Sequence, residues 1–330
     1  MSMEQAVVEI FFKLLRAGLY ESDISGIGAT PEAWERIFRI AREQAVSGIV
    51  FKGATRLPEE EMPPETLRMG LLVEVNRISS RTDHVLKVAK KLLADFQAAG
   101  FHPVVMKGPA VGKYYPAPSF RTSGDIDLFL SGKEYGSALS WLSERGIAAS
   151  PEPDGSHLYS LEGVTVEHHP RYYDVHVRAN RLPPVPSAEA ELLMLSAHIL
   201  KHAIGVGVGL RQICDIAQAY RMLQGKYDRE ALGKFIKTAG LQQWNHLLCS
   251  FLETYLEVPE ETLPAYRSVD PARLFGIVFS GGNFGQYRKG LKQGKLQTLL
   301  AFVRRLPFSL RYAPRETFWT MAELAKGNLH

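Results

Sequence analysis

The sequence predicts an α+β protein in which a small mixed sheet with helices sits between two helical regions. Three observations carry this: helical periodicity over the first hundred residues, a cluster of short β-prone runs between residues 101 and 182, and helical periodicity again from Ser187 onward.

At 330 residues the chain can bury a substantial core, and 45% hydrophobic with 22% charged residues is the composition of a folded globular protein. A net charge of +4 admits an anionic ligand of nucleotide size but lacks the clustered basic bias of a duplex-binding protein. The two cysteines, Cys214 and Cys249, form no C-x-x-C pair, which excludes a disulfide framework and a thiolate zinc site and makes a reducing, cytoplasmic setting the expectation. Glu4, Glu9, Lys13 and Arg16 interrupt the apolar residues of the first twenty positions, against a signal peptide, and no run is long enough for membrane insertion.

In the first region, 1–100, Val7, Ile10, Phe11, Leu14 and Leu15 recur at helical spacing. Thr30 followed by Pro31 predicts a capped helix start with proline at the first helical position. A long helix is expected from about Pro64 to Gln97, with room for a break, ending at Gly100.

The pattern changes in the second region, 101–182. His102 to Met106 and Asp125 to Leu130 read as strands, and the runs between Leu158 and His169 flank Glu162-Gly163 as a hairpin turn. Tyr135 to Arg145 reads as a helix ended by Gly146. Three prolines among Pro183-Pro184-Val185-Pro186 block both helix and ladder, so the third region, 183–330, is set to begin there. Ser187 then caps a helix with Glu189 and Glu191 in its first turn, and Leu192, Leu195, Ile199, Ile213, Ile216 and Tyr220 mark two buried helix faces.

Asp125-Ile126-Asp127 puts two carboxylates on one strand face while Ile126 and Leu128 enter the core. Acids held this closely repel each other unless a cation sits between them, and such hard oxygens suit Mg²⁺ or Mn²⁺ bound with substrate phosphates. The metal-free protein is therefore expected to bear a repulsion that removing one charge relieves. D-x-D alone is a common pattern. Its setting adds weight: Val104 to Met106 runs into Lys107-Gly108, where backbone and ammonium can approach a phosphate, and Arg121 precedes Asp125 by four residues.

Together these features resemble the nucleotidyltransferase superfamily with a polymerase-β-like palm. More narrowly, Met106-Lys107-Gly108, Tyr115-Pro116, Arg121, Asp125-Ile126-Asp127 and Val166-Glu167-His168-His169 resemble a family of uncharacterised bacterial nucleotidyltransferases, and more loosely so do His198, His202 and Asp215. The resemblance spans Val104 to Tyr220 and implies a third metal-binding acid, Glu167, beside Asp125 and Asp127. Nucleotide contacts are expected from Lys107, Gly108, Arg121, His169 and His202. One departure stands out: the superfamily's glycine motif usually continues with serine or glycine, whereas Gly108 is followed by Pro109, which has neither hydroxyl nor amide hydrogen. Lys107 and Arg121 are the substitutes for that cradle.

The implied reaction is attack by an acceptor hydroxyl on the α-phosphate of an NTP, with a divalent cation and release of pyrophosphate. The acceptor is open: small molecule, sugar, RNA end or protein. A degenerate palm that binds nucleotide or a partner without turnover, and a metal-dependent phosphohydrolase, are the alternatives.

His198 and His202 share a helix face, but Ile199 stands where a zincin has glutamate, so zinc is rejected and packing beneath the palm is expected. Asp215 either steadies His202 or Arg211 or lies on a solvated face. Tyr114 and Tyr115 read as packing residues rather than base-stacking ones. Gly281-Gly282-Asn283-Phe284-Gly285 reads as a turn after a helix, and Arg304, Arg305, Arg311 and Arg315 as the wet face of a helix docked on its own protein.

Overall fold

The computed structural model describes residues 3–152, 154–205, 207–280, 282–283 and 295–325. Four helices lead: α1 (Met3–Tyr20), α2 (Pro31–Glu43), α3 (Ser47–Ala54) and α4 (Glu65–Ala98). The Thr30 hydroxyl accepts the Ala33 N–H at 3.3 Å and Pro31 opens α2, where its missing N–H costs no helical bond. α4 runs 34 residues without a break and ends at Gly100, φ +83°, with the Phe101 N–H reaching back to the Phe96 carbonyl at 3.0 Å.

The sheet comprises β1 (Val104–Val105), β2 (Asp125–Phe129), β3 (Ser150–Pro151), β4 (His157–Leu161) and β5 (Val164–His169), in the order β1-β2-β5-β4-β3. The β2–β5 pair is parallel and the others antiparallel, so the sheet is mixed. β1 is shorter than the His102–Met106 run because the His102 N–H leaves the ladder for Glu134 Oε2, 3.0 Å away. Met106 still donates to the Asp127 carbonyl at 3.0 Å, which continues the pairing toward Lys107. The connectors on either side of β2 carry α5 (Pro109–Gly112) and α6 (Gly132–Glu144), the latter starting almost one turn before the expected Tyr135. Glu162 and Gly163 both have positive φ, +49° and +73°, the tight two-residue turn that matches strand twist between β4 and β5.

Period-two alternation divides the sheet into unlike faces. Ile126, Leu128, Tyr159, Val164 and Val166 pack on Val85, Val88, Leu92 and Phe96 of α4 and on Ala138 and Leu142 of α6. His168 belongs to this dry face: it is fully buried, meets Phe96 and Tyr135 edge-on, and burial lowers its pKa to about 4, so it is a neutral core side chain. The opposite face carries Asp125, Asp127, Thr165, Glu167 and His169.

The remaining helices are α7 (Ala188–Ile204), α8 (Leu210–Met222), α9 (Arg229–Ala239), α10 (Gln242–Leu256), α11 (Ala272–Phe279), α12 (Lys295–Tyr312) and α13 (Pro314–Ala325). Ser187 caps α7, its hydroxyl accepting the Ala190 N–H at 3.1 Å. One apolar cluster joins Phe11 and Leu14 of α1, Trp34 and Phe38 of α2, Leu71 and Val75 of α4, Leu195 and Ile199 of α7, Ile213 of α8 and Trp244 of α10. α4 therefore serves two cores, its first half here and its second half under the sheet. The boundaries at residues 100 and 182 are our proposal from the change of sequence periodicity.

Phe302, Phe308 and Tyr312 bury α12 against its own protein, with Arg304, Arg311 and Arg315 exposed. Arg305 differs from expectation: it is buried and donates to the carbonyls of Ala203, at 3.0 Å, His202 and Gly205, capping the C-terminal end of α7. Residues 281, 284 and 285 of the glycine-rich turn lie outside the described residues. Among the described residues no helix is long and apolar enough to cross a membrane.

Candidate active site

The polar face of the sheet is covered by α7 and α8, which turns a strand surface into an enclosed cleft. β1 delivers Lys107 to the edge of β2, where its Nζ lies 2.9 Å from Asp127 Oδ1, with 13% and 6% of the two side chains exposed. Immediately beyond, Gly108 has φ +47° and ψ −109°, and a Cβ there would stand 3.2 Å from the Asp125 carbonyl oxygen. Glycine alone allows both that dihedral and that approach. Pro109 then occupies the first position of α5, where its missing N–H is harmless.

Parallel pairing sets Asp127 beside Glu167 and Phe129 beside His169. His169 Nε2 lies 2.8 Å from Asp127 Oδ1 and 3.6 Å from Glu167 Oε1, while Ser156 Oγ donates to Glu167 Oε1 at 3.0 Å. Asp127, Glu167 and His169 each offer a ligand atom within 4.8 Å of the others. Asp125 lines the same cleft but is exposed at its rim, outside that trio.

At Asp127 the expected repulsion is outweighed. Burial works against the Asp127 charge, but Lys107 and His169 outweigh it and hold this carboxyl far below the usual range. Burial likewise opposes the Lys107 ammonium, and Asp127, Asp174 and Glu167 more than compensate, leaving its pKa raised. The pKa values of Asp125 and Glu167 both rise, through burial first and also through the Asp127 charge, opposed by Arg211 and Lys107 at Asp125 and by His169 at Glu167. The cation beside Asp127 is a side chain of this protein, Lys107.

α7 supplies the facing wall. His198, Lys201 and His202 sit at i, i+3 and i+4 and so share one face. Asp174, in the loop after β5, meets His198 Nδ1 at 3.3 Å and Lys201 Nζ at 3.1 Å, and the two imidazoles meet Nε2 to Nε2 at 3.1 Å. Burial lowers the His198 pKa to about 4, the Lys107 charge adding to it against Asp174. The two neutral, mutually bonded rings form a packed pair.

α8 closes the end. Arg121 Nε and Nη2 donate to the two oxygens of Asp215, each at 2.6 Å, and the Tyr115 hydroxyl donates to Asp215 Oδ1 at 2.7 Å. Asp215 thus holds Arg121 and Tyr115 rather than His202. Thr82 of α4 fixes the same loop, its hydroxyl donating to the Arg121 carbonyl at 3.0 Å. Arg211 Nη1 donates to the Thr122 carbonyl at 3.1 Å.

The resulting cavity measures about 190 Å³ and is lined from the sheet by Lys107, Gly108, Asp125, Asp127, Glu167 and His169, with the α7 and α8 groups opposite. A larger, open hollow of about 690 Å³ lies beside Lys52 and Arg56, away from these acids. The family model described as uncharacterised nucleotidyltransferase matches residues 30–257, more than two thirds of the chain, taking in both walls of the cavity. The chain belongs to this family. No curated protein and no solved structure matches it.

Family membership makes the protein a transferase of phosphorus-containing groups with a mixed-sheet palm flanked by helices. Two carboxylates and an imidazole suit a divalent cation. Of the residues singled out from the sequence, this nucleotidyltransferase gathers Lys107, Gly108, Arg121, Asp125, Asp127, Glu167, His169 and His202 around one cavity. Sequence reasoning missed Asp174, Lys201 and Gln212. Lys201 was within reach, one turn from His198 on the same face, whereas Asp174 sits in an irregular loop with no periodic signal.

Proposed function

We propose that the protein transfers a nucleoside monophosphate from an NTP to a hydroxyl acceptor and releases pyrophosphate. The observation that carries this reading is the parallel register of Asp127 and Glu167, two acids of one face brought side by side against Lys107 in a cleft. Asp127 and Glu167, with His169 and with Asp125 from the rim, would hold the divalent cation, which when bound neutralises phosphate charge and acidifies the attacking hydroxyl. Lys107 is the ammonium placed to hold a phosphate oxygen beside the acids. Glu167, beside Asp127 on the same face, is the candidate either to share the cation or to take the hydroxyl proton. Alignment and charge stabilisation would supply the rate, since phosphoryl transfer needs no covalent enzyme intermediate. A cavity of about 190 Å³ is smaller than the few hundred cubic ångströms of a typical ligand pocket, so it suits the phosphates, with base and ribose extending outward.

The test is incubation with each α-phosphate-labelled NTP, Mg²⁺ or Mn²⁺, and pools of small molecules, RNA and protein. Label appearing on an acceptor with matching pyrophosphate supports the reading. Release of inorganic phosphate instead, or no NTP binding, overturns it.

A further inference from the structure

We infer that the terminal phosphates of the triphosphate are gripped at the N-terminal end of α8, by Arg211 and the Gln212 amide from one side and the Thr122 and Ser123 hydroxyls from the other. This rests on the nucleotidyl-transfer reading above and adds where its substrate's polyphosphate lies.

The end of β1 offers little for a triphosphate beyond Lys107. Pro109 has no N–H or hydroxyl to give, and α5 is only four residues long. Gly108 is pressed against β2, with its Cβ position 3.2 Å from the Asp125 carbonyl. Arg121 is committed as well, with both arms of its guanidinium on Asp215 and Nη1 on the Thr122 carbonyl.

The opposite wall has the reverse character. α8 is 13 residues long, and its positive end opens on the cavity through Arg211 and Gln212. Gln212 is 5% exposed and its orientation is set: Oε1 accepts the Gly209 N–H at 3.2 Å, which leaves Nε2 as a buried donor with no partner among the described residues. In the loop before β2, the Thr122 and Ser123 hydroxyl oxygens are also buried without partners among the described residues, and Ser123 Oγ lies 3.7 Å from the Cβ position of Gly108. The Arg211 bond to the Thr122 carbonyl joins the two walls.

Buried polar groups are ordinarily satisfied, so the Gln212 Nε2 on the cavity wall, with the Thr122 and Ser123 hydroxyls in the loop that leads into β2, marks the place of a missing acceptor. A carboxamide N–H and two hydroxyls can each donate to phosphate oxygens, and Arg211 adds a positive charge beside them. The acids that could hold a cation sit at the sheet end of the same cavity, so the order along it is α-phosphate by Asp127 and Glu167 and terminal phosphates by α8.

Calorimetry with Mg²⁺ tests this, using ATP, GTP, CTP, UTP, their monophosphates and inorganic tripolyphosphate on the wild type, Arg211→Met and Gln212→Glu. The glutamate keeps an acceptor for the Gly209 N–H while replacing the orphan donor with a negative charge, so it tests the cradle even if Arg211→Met fails to fold. Each natively melting variant should bind the wild type's NTP and tripolyphosphate about tenfold or more weakly, as expected for a lost charge-assisted contact, with monophosphate affinity changed less than about twofold. Unchanged NTP and tripolyphosphate affinity, or an equal loss on the monophosphate, overturns the cradle while nucleotidyl transfer stands. A wild type that binds no NTP overturns both.

Discussion

Lys107 Nζ and Asp127 Oδ1 lie 2.9 Å apart, both side chains nearly out of solvent, so the acid face of the sheet carries its own counter-ion. Removing the carboxylate charge would strand a buried ammonium. Asp127→Asn should therefore destabilise the metal-free protein by about 3–5 kcal/mol, the usual consequence of breaking a buried pair. Urea unfolding with chelator present checks this, and an equal or higher stability in the variant would restore the repulsion picture.

Arg121 and Asp215 tie the loop before β2 to α8 by two bonds of 2.6 Å in a site 3% and 7% exposed at the side chains. Asp215→Asn should cost about 3–5 kcal/mol, because Arg121 stays charged and buried. The Arg121→Met, Asp215→Leu double variant should cost clearly less than the sum of the single changes. Additive losses in denaturant titrations would show that the two residues act independently.

Gly108→Ala forces a side chain onto φ +47° and into the Asp125 carbonyl at 3.2 Å. The backbone strain is about 1–2 kcal/mol. Relieving the contact must shift either Lys107 or the start of β2, so the rate of pyrophosphate release should fall more than the melting temperature suggests. A variant with lower stability and an unchanged rate would remove Gly108 from the site's support.

His198 is neutral in the folded protein, with a pKa of about 4 against about 6.5 for an ordinary histidine. Below the ordinary value the unfolded chain takes up a proton that the folded chain refuses, so stability falls as pH drops from about 6.5 to about 4, with no further contribution below. The slope from one such group reaches about 1.4 kcal/mol per pH unit. His198→Gln should flatten the stability profile in that window, and parallel profiles for the two proteins would contradict the assignment.

Much of the fold was legible because it depends on local patterns. Thr30-Pro31 and Ser187 start helices through bonds within four residues, Glu162-Gly163 turns a hairpin through its own dihedrals, and Ile126 and Leu128 alternate with Asp125 and Asp127 by the pleat of a strand. Side-chain chemistry singled out Lys107 and the D-x-D pair, and motif resemblance added the family and Glu167. The choice of partners was not legible. Arg121 took Asp215, 94 positions away, and Arg305 took the carbonyls ending α7, because burial forces each charge or helix end to find whatever complement the packing brings near.

The sequence by itself determined the α+β class, the periodic faces and the stock of acids and bases, since these follow from side-chain type and short-range spacing. Only the tertiary structure decided that Lys107 neutralises Asp127, that Asp125 stays at the rim, that α7 and α8 roof the acid face with Lys201 and Gln212, and that the loop after β5 brings Asp174 to Lys201. The reason is physical: a charge's state depends on distance and on removal from water, and both are set by residues far apart in the chain.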